Sequence, residues 1–599
     1  MTRLHPMPFG AQVLADGRTR FRLWAPAARD VAIAIEAPAP RLLPMNARDD
    51  GWFEAIIDAP AGTRYRYRVD GATGVPDPAS RRNPDGVHGA SEVIDPHDYD
   101  WQDVHWRGRP WHEAVIYELH VGTFTPEGTF GAAAARLDYL AALGVTAIEL
   151  MPLAAFAGAR GWGYDGVLPF APHAAYGTPV DLKRFVDAAH ARGLMVLLDV
   201  VYNHFGPDGN YLATTAPWFF HGDASTPWGG AIGFDGPHSA PVRDFFTHNA
   251  LYWLVEYNLD GLRLDAVHAI VDRSSPSFLA SLAAEARAAC PGREIHLVLE
   301  DDANRASFAR PDRVNGARYD ALWDDDVHHA LHVLVTGETG GYYADAARDP
   351  LARLGRCLTE GFADQGEPSP MRGGAPRGEP SSGLPPRAFV TYLQNHDQVG
   401  NRAGGERIFA LASARRVEAA LAIVLLAPSI PLLFMGDEFA AATPFLYFCD
   451  VDRALADAIR EGRRREFAAH GAAPSSLADP DDPATFARSR LDWTSLASPA
   501  HERALAWTTA LLDKRRRFVT PLVATLGGSA AAWQRLGERA LRVTWRAPQA
   551  TLWMLANLGD DAVAVERPRG TRVHPHDDVA ADGMLPPWQV VVGVDARSP

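Results

Sequence analysis

Four stretches of this 599-residue chain end in residue types suited to acid–base chemistry. Leu194–Val201 carries Asp199 and leads into Asn203-His204. Gly261–Ala266 holds Arg263 and Asp265, Ile295–Leu299 is closed by Glu300, and Phe389–Leu393 runs into His396-Asp397. Arg263 and Asp265 are two residues apart, so on a strand they share a face. A guanidinium beside a carboxylate favours the ionised form and lowers its pKa, which suits a nucleophile. Glu300 ends an apolar run and precedes Asp301-Asp302. Burial and neighbouring negative charge raise a carboxyl pKa, as a proton donor requires. A lone acid at a strand end is ordinarily a helix cap, and a lone Arg–Asp pair an ion pair of the scaffold. Four such ends in one chain point elsewhere. Two carboxyls with pKa values pushed apart fit hydrolysis of a glycosidic bond with retention, although spacing does not name the sugar.

Elements that bring these ends together can be read from residue 110 onward, where apolar β-rich runs alternate with helical stretches, the texture of βα units. Eight strand candidates are Val115–Phe124, Thr146–Met151, Leu194–Val201, Gly261–Ala266, Ile295–Glu300, Tyr319–Trp323, Phe389–Leu393 and Pro431–Met435. Before the third, Leu182, Phe185, Val186 and Ala189 keep helical spacing, with Thr178-Pro179 as start and Gly193 as stop. A helix over Arg407–Ala427 serves the eighth strand in the same way. The count predicts an α/β fold, a (β/α)8 TIM barrel with the acidic ends at its C-terminal mouth; an open doubly wound sheet gives a similar pattern. Residues 1–98 alternate with period two (Phe21, Leu23; Val31, Ile33, Ile35; Phe53, Ala55, Ile57; Tyr65, Tyr67, Val69), as in an N-terminal β-sandwich. The barrel domain is expected over 99–519, its last helix ending near Arg517, with a C-terminal β domain over 520–599. Insertions at 202–241 and 361–387 interrupt the barrel. The second is rich in Gly, Pro and Ser, which suits either a mobile linker or an active-site lid.

Composition narrows the partners. Lys and Arg total 58 against 73 Asp and Glu, a net charge of −15. Such a balance repels phosphate backbones and anionic lipid, so neither nucleic acid nor membrane is expected. The first ten residues lack the apolar core of a secretory signal. The three cysteines, Cys290, Cys357 and Cys449, are far apart without metal-ligand spacing. They read as reduced thiols of a cytoplasmic protein that holds no metal or cofactor.

The segments DVVYNH (199–204), GLRLDAVHAI (261–270), LVLED (297–301) and YLQNHDQVGNR (392–402) resemble the four signature regions of the α-amylase superfamily. The resemblance implies Asp265 as nucleophile, Glu300 as general acid/base, and Asp397 as the third carboxylate, which orients the sugar and stabilises the transition state. It also implies substrate-binding roles for Tyr164, Asp199, His204, Arg263 and His396. Within the superfamily the chain is most similar to the maltooligosyltrehalose trehalohydrolases, over nearly its whole length. RRNPDGVHGASEV (81–93), ELHVGTFTPEGTF (118–130), ELMPLAAF (149–156), DAAHARGLMVLLDVVYNHFGPDGNYL (187–212) and MGDEFAAATPFLYFCD (435–450) carry that similarity. It implies cleavage of the α-1,4 bond beside a terminal trehalose, without a cofactor. It also implies maltooligosyltrehalose and maltooligosaccharides as the sugars handled, and a functional link to a maltooligosyltrehalose synthase. Trp218, His268, Asp301, Asp302, Tyr342, Tyr343 and Arg372 are the expected trehalose-side contacts. The chain departs from the family pattern at Asp301, at Gly404 and at Met371, outside the three carboxylates. Two rivals are a glycogen branching or debranching enzyme of the same superfamily and a non-catalytic glycan-binding protein.

Overall fold

The computed structural model describes residues 3–72, 74–310, 319–469, 477–566, 568–575 and 583–596. Two four-stranded antiparallel sheets come first. One is ordered Gly10–Val13, Thr19–Trp24, Trp52–Ile57, Asn46–Ala47, and the other Arg41–Pro44, Val31–Ala37, Arg64–Val69, Ser91–Glu92. Their period-two residues face inward, so Phe21, Ile33, Phe53, Tyr65 and Tyr67 form one buried cluster.

Eight parallel strands then close on themselves: β1 (Ile116–Leu119), β2 (Ala147–Leu150), β3 (Met195–Val200), β4 (Gly261–Leu264), β5 (His296–Leu299), β6 (Ala321–Trp323), β7 (Phe389–Tyr392) and β8 (Ile430–Phe434), with β8 paired to β1. Closure excludes the open doubly wound sheet. Every residue of these strands is buried, because a barrel interior is filled by side chains and helices cover the outside. The helix Pro179–His190 starts on a reciprocal capping box. Asp181 N–H donates to the Thr178 hydroxyl at 3.2 Å, and Thr178 N–H donates to the Asp181 carboxylate at 3.0 Å.

Several elements differ in extent from the prediction. The expected strand Val115–Phe124 stops at Leu119, and Val121–Phe124 is a short helix. The expected helix over Arg407–Ala427 is two, Ile408–Leu411 and Ala414–Leu426, separated by Ala412 and Ser413 in extended conformation. Apolar spacing runs across that break and conceals it. The helix expected to end near Arg517 instead continues from Pro499–Lys514 through a wide turn, Arg515–Val519, to Val523. There the fully buried Arg515 donates to the carbonyls of Leu425, Ala427 and Ser429 at 3.1, 2.6 and 2.6 Å.

A five-stranded antiparallel sheet follows, ordered Ala531–Gly537, Ala540–Arg546, Ala550–Asn557, Gln589–Ala596, Thr571–His574. Trp545 anchors it to the barrel: its ring is wholly buried and its Nε1 donates to Leu358 O at 2.8 Å. The insertion at 202–241 carries the hairpin Phe220–Thr226/Gly229–Ile232. That at 361–387 pairs Glu367–Pro368 with Pro376–Arg377. It is tied down, since Arg377 Nη1 reaches Asp326 at 2.6 Å and Asp364 at 2.8 Å. All three cysteines are buried and unpaired. Among the described residues, no helix is long and apolar enough to cross a membrane.

Candidate active site

At the mouth of the barrel one guanidinium organises three carboxyl groups. Arg263, on β4, is 2% exposed and lies over the Trp323 ring of β6 at 4.1 Å. Its Nη1 donates to Asp199 Oδ2 and to Asp265 Oδ1, each at 2.8 Å, and its Nη2 donates to Glu300 Oε2 at 3.1 Å. The strand ladder carries both acids into place. Asp265 N–H bonds Val200 O, and Glu300 N–H bonds Leu264 O, each at 3.0 Å. Ala266 then adopts φ +39°, a left-handed conformation costly for a residue with a Cβ. That turn aims the Ala266 N–H at Glu300 Oε2, 2.7 Å away. On the other side, Asn203 Nδ2 donates to Asp265 Oδ2 at 2.8 Å.

The two acids titrate in opposite directions. Burial alone would raise Asp265, but Arg263 and the Asn203 hydrogen bond outweigh it and hold the carboxyl below the usual range. For Glu300 burial prevails. Arg263 and the Ala266 N–H pull downward, Asp265 and Asp325 push upward, and the carboxyl sits well above its ordinary value. Burial likewise raises Asp199, to about 6, against the pull of Arg263.

Asp397 opens the helix His396–Gly400, whose cap is Asn395: its Oδ1 accepts from Asp397 N–H at 2.9 Å. Asp397 is exposed at its end of the site, and desolvation of its carboxyl raises its pKa while His396 works against the rise. His396 is a buried part of the floor. Its Nδ1 lies 2.5 Å from Glu118 Oε1, and Tyr164 stacks on its ring at 5.1 Å. Burial would lower the imidazole, but Glu118 prevails and raises it. Tyr164 in turn donates its hydroxyl to Asp199 Oδ2 at 2.6 Å.

Tyr164, Asp199, His204, Arg263, Asp265, Glu300, His396 and Asp397 are thus brought together. Beside Glu300 the exposed Asp302 pairs with Arg372 of the second insertion, and Asp302 N–H faces His268 Nδ1 at 3.4 Å. Tyr342 is 43% exposed.

Three expected contacts need correction. Asp199 is buried and spent on Arg263 and Tyr164, so it positions them rather than meeting a sugar. The Asp301 carboxylate is fully buried, clasped by Arg305 at 2.8 Å and by the N–H groups of Ala303 and Arg305. Tyr343 is buried too, its ring stacked on His332 at 4.1 Å and its hydroxyl held by His328 and Tyr342. Trp218, 38% exposed, lines a depression of about 420 Å³ with His221 and Asp235, against the ring of His238.

Other residues escaped the sequence reading. Trp228, 48% exposed, stacks on His204 at 5.5 Å, and Glu118 and Asn203 fix His396 and Asp265. Asp325 is the largest omission, because β6 also ends in acids, Asp324-Asp325-Asp326, and that triplet was a visible signal. Asp324, Asp326 and Cys357 approach within 4.8 Å of one another below it. Arg377 and Arg353 already face Asp326, so its charge is met by guanidinium.

A closed (β/α)8 barrel whose mouth pairs a low-pKa aspartate with a high-pKa glutamate defines a glycoside hydrolase of the α-amylase type. Residues 84–225 match the family described as "Alpha amylase, catalytic domain", and residues 8–96 match "Carbohydrate-binding module 48 (Isoamylase N-terminal domain)". The chain is 42% identical to a malto-oligosyltrehalose trehalohydrolase of Rhizobium sp. (strain M-11), over 98% of this chain and 99% of that one. It is 46% identical to the enzyme of that name from Arthrobacter ramosus, over 83% and 87% of the two chains. Among solved structures, a putative alpha amylase from Salmonella typhimurium superposes with a TM-score of 0.94 at 45% identity, over 99% of this chain and 100% of the other. The chain belongs to the malto-oligosyltrehalose trehalohydrolase family.

Proposed function

We propose that the protein cleaves the α-1,4-glucosidic bond next to the terminal trehalose of maltooligosyltrehalose, releasing trehalose and a maltooligosaccharide. Glu300 gives its proton to the bridging oxygen as Asp265 attacks the anomeric carbon. The bond to trehalose breaks, trehalose leaves with the proton, and the sugar remains esterified to Asp265 Oδ. Water then attacks the same carbon, Glu300 takes its proton, Asp265 departs, and two inversions leave the α configuration in place. Asp397 is assigned to the hydroxyls of the sugar being cleaved, whose hydrogen bonds strengthen as the ring flattens.

The observation that carries the chemistry is the single guanidinium bridging Asp265 and Glu300. It fits the short separation, about 5–5.5 Å, of retaining enzymes. The substrate rests on the family. The grouping of exposed His268 and Asp302 with partly exposed Arg372 supports it, since polar groups placed for the hydroxyls of a 1,1-linked leaving group are left unpaired by a linear glucan. The reading extends to a cytoplasmic setting, supported by three buried, unpaired cysteines, and to an upstream synthase that makes maltooligosyltrehalose.

The test compares specificity constants for maltotriosyltrehalose and maltopentaose, which present the same bond to the same carboxylates. A ratio of about 100 or more in favour of the trehaloside is expected. Equal constants, or debranching of amylopectin, would favour the branching or debranching rival.

A further inference from the structure

The catalytic cycle gives no role to Asp325, a carboxylate at the barrel mouth. Asp325 follows the end of β6, between the strand that precedes Glu300 and the strand that leads to Asp397. Its neighbours Asp324 and Asp326 are wholly buried, whereas Asp325 is only half-buried. Its position is fixed from β7: Tyr392 donates its hydroxyl to Asp325 Oδ1 at 2.6 Å, and Gln398 Nε2 donates to the same oxygen at 3.1 Å. Gln398 belongs to the capping box of the helix that presents Asp397, where its Oε1 accepts from Asn395 N–H at 3.0 Å. Hydrogen bonds thus tie Asp325 to the helix that presents Asp397, and Asp325 follows the strand next to the one that carries Glu300.

We propose that Asp325 is a positioning residue that keeps Glu300 protonated between catalytic cycles, acting by charge across the cleft while Tyr392 and Gln398 hold it in place. The groups facing Glu300 can be enumerated by element. From β4 come Arg263, which opposes protonation, and Asp265, which favours it; from β6 comes Asp325; from β7 comes the Tyr392 hydroxyl, neutral and well above its usual pKa. Asp265 loses part of its influence whenever it carries the glycosyl group, because the ester is neutral. Asp325, unlike Asp265, is not consumed in either half-reaction. It also bears on Asp397, whose pKa it pushes upward after burial and the opposing His396. The groups acting most strongly on Asp265 are Arg263, Asn203 and His204. Around Asp325 itself stand His329 and Tyr342, in addition to its acidic neighbours.

The role rests on Glu300 being the general acid, and the measurement separates the two. kcat/KM for maltotriosyltrehalose is followed against pH in the wild type, Asp325→Asn and Asp325→Glu. Removing the charge makes Glu300 easier to deprotonate, so in Asp325→Asn the alkaline limb should fall by roughly half to one and a half pH units. Any movement of the acid limb should be to lower pH, since Asp397 loses the same upward push, and Asp325→Glu should recover most of the alkaline shift. An unmoved alkaline limb with altered KM would make Asp325 a substrate contact and overturn the proposal. If Asp325→Asn does not fold, Tyr392→Phe keeps the charge but frees it to move away, and the same limb must fall; an unmoved limb there also overturns it. Glu300→Gln with an aryl glycoside bearing a good leaving group supplies the control. An alkaline limb persisting in that variant would remove Glu300 as the acid, a different failure from that of Asp325.

Discussion

At the scale of single residues, the site works by giving one cation several anions to satisfy. Arg263 stabilises Asp265 as a carboxylate, yet at Glu300 burial outweighs the same guanidinium and holds the carboxyl well above its ordinary range. Glu300→Gln and Asp265→Asn should each lower turnover by at least about 100-fold, with circular dichroism and melting temperature close to wild type. A purified, folded variant keeping a tenth of wild-type activity would contradict the assignment. Asn203→Ala gives a prediction with a definite sign. The lost hydrogen bond had favoured ionised Asp265, so its pKa rises and the acid limb of kcat/KM moves to higher pH, by about one unit; the alkaline limb should not follow. Much of this was legible. Asp265, Glu300 and Asp397 lie in ordered motifs, and the i, i+2 spacing of Arg263 and Asp265 already stated their pairing. Asp199, Asp301 and Tyr343 were misjudged because residue type does not reveal burial. An acid in a motif reads alike whether it faces a sugar or clasps Arg305.

Elements were legible at their centres and less so at their ends. Eight apolar runs marked eight strands, but the last residues of several runs leave the ladder, and there the site is built: Asp265 and Glu300 lie one residue beyond β4 and β5. Strand β6, three residues long, offered the weakest apolar signal, and its acidic end was passed over with it. The 361–387 insertion was ambiguous for a plain reason, since Gly, Pro and Ser specify turns without saying what holds them. Arg377 holds it. Arg377→Met should leave the wholly buried Asp326 facing too little positive charge and destabilise the fold by about 3–5 kcal/mol, seen as a lower denaturation midpoint. Arg372→Ala should be gentler on the fold and harder on selectivity. Its side chain is partly exposed and pairs with Asp302, so the trehaloside-to-glucan ratio of specificity constants should drop several-fold to about ten-fold. Equal losses on both substrates would place Arg372 on the shared glucan side or in the scaffold alone.

The whole molecule is one barrel with a β domain before it and another after it, and only the barrel contributes the carboxylates. The C-terminal sheet supports from behind, through Trp545 and through Trp533, which packs so closely on Gly355 that a Cβ there would lie 2.3 Å from its ring. Trp545→Ala should cost about 3–5 kcal/mol of stability, lowering the melting temperature while kcat/KM per folded molecule stays near wild type. A large loss of kcat/KM at full folding would instead give the sheet a part in catalysis. The central claim is double displacement at the bond beside trehalose, and proton NMR of the first turnovers on maltotriosyltrehalose tests it most directly. Trehalose and α-maltotriose should appear together in equal amounts, with the β anomer growing in only by mutarotation. β-Maltotriose as the first product, or maltooligosaccharide fragments with the trehalosyl end still attached, would contradict it.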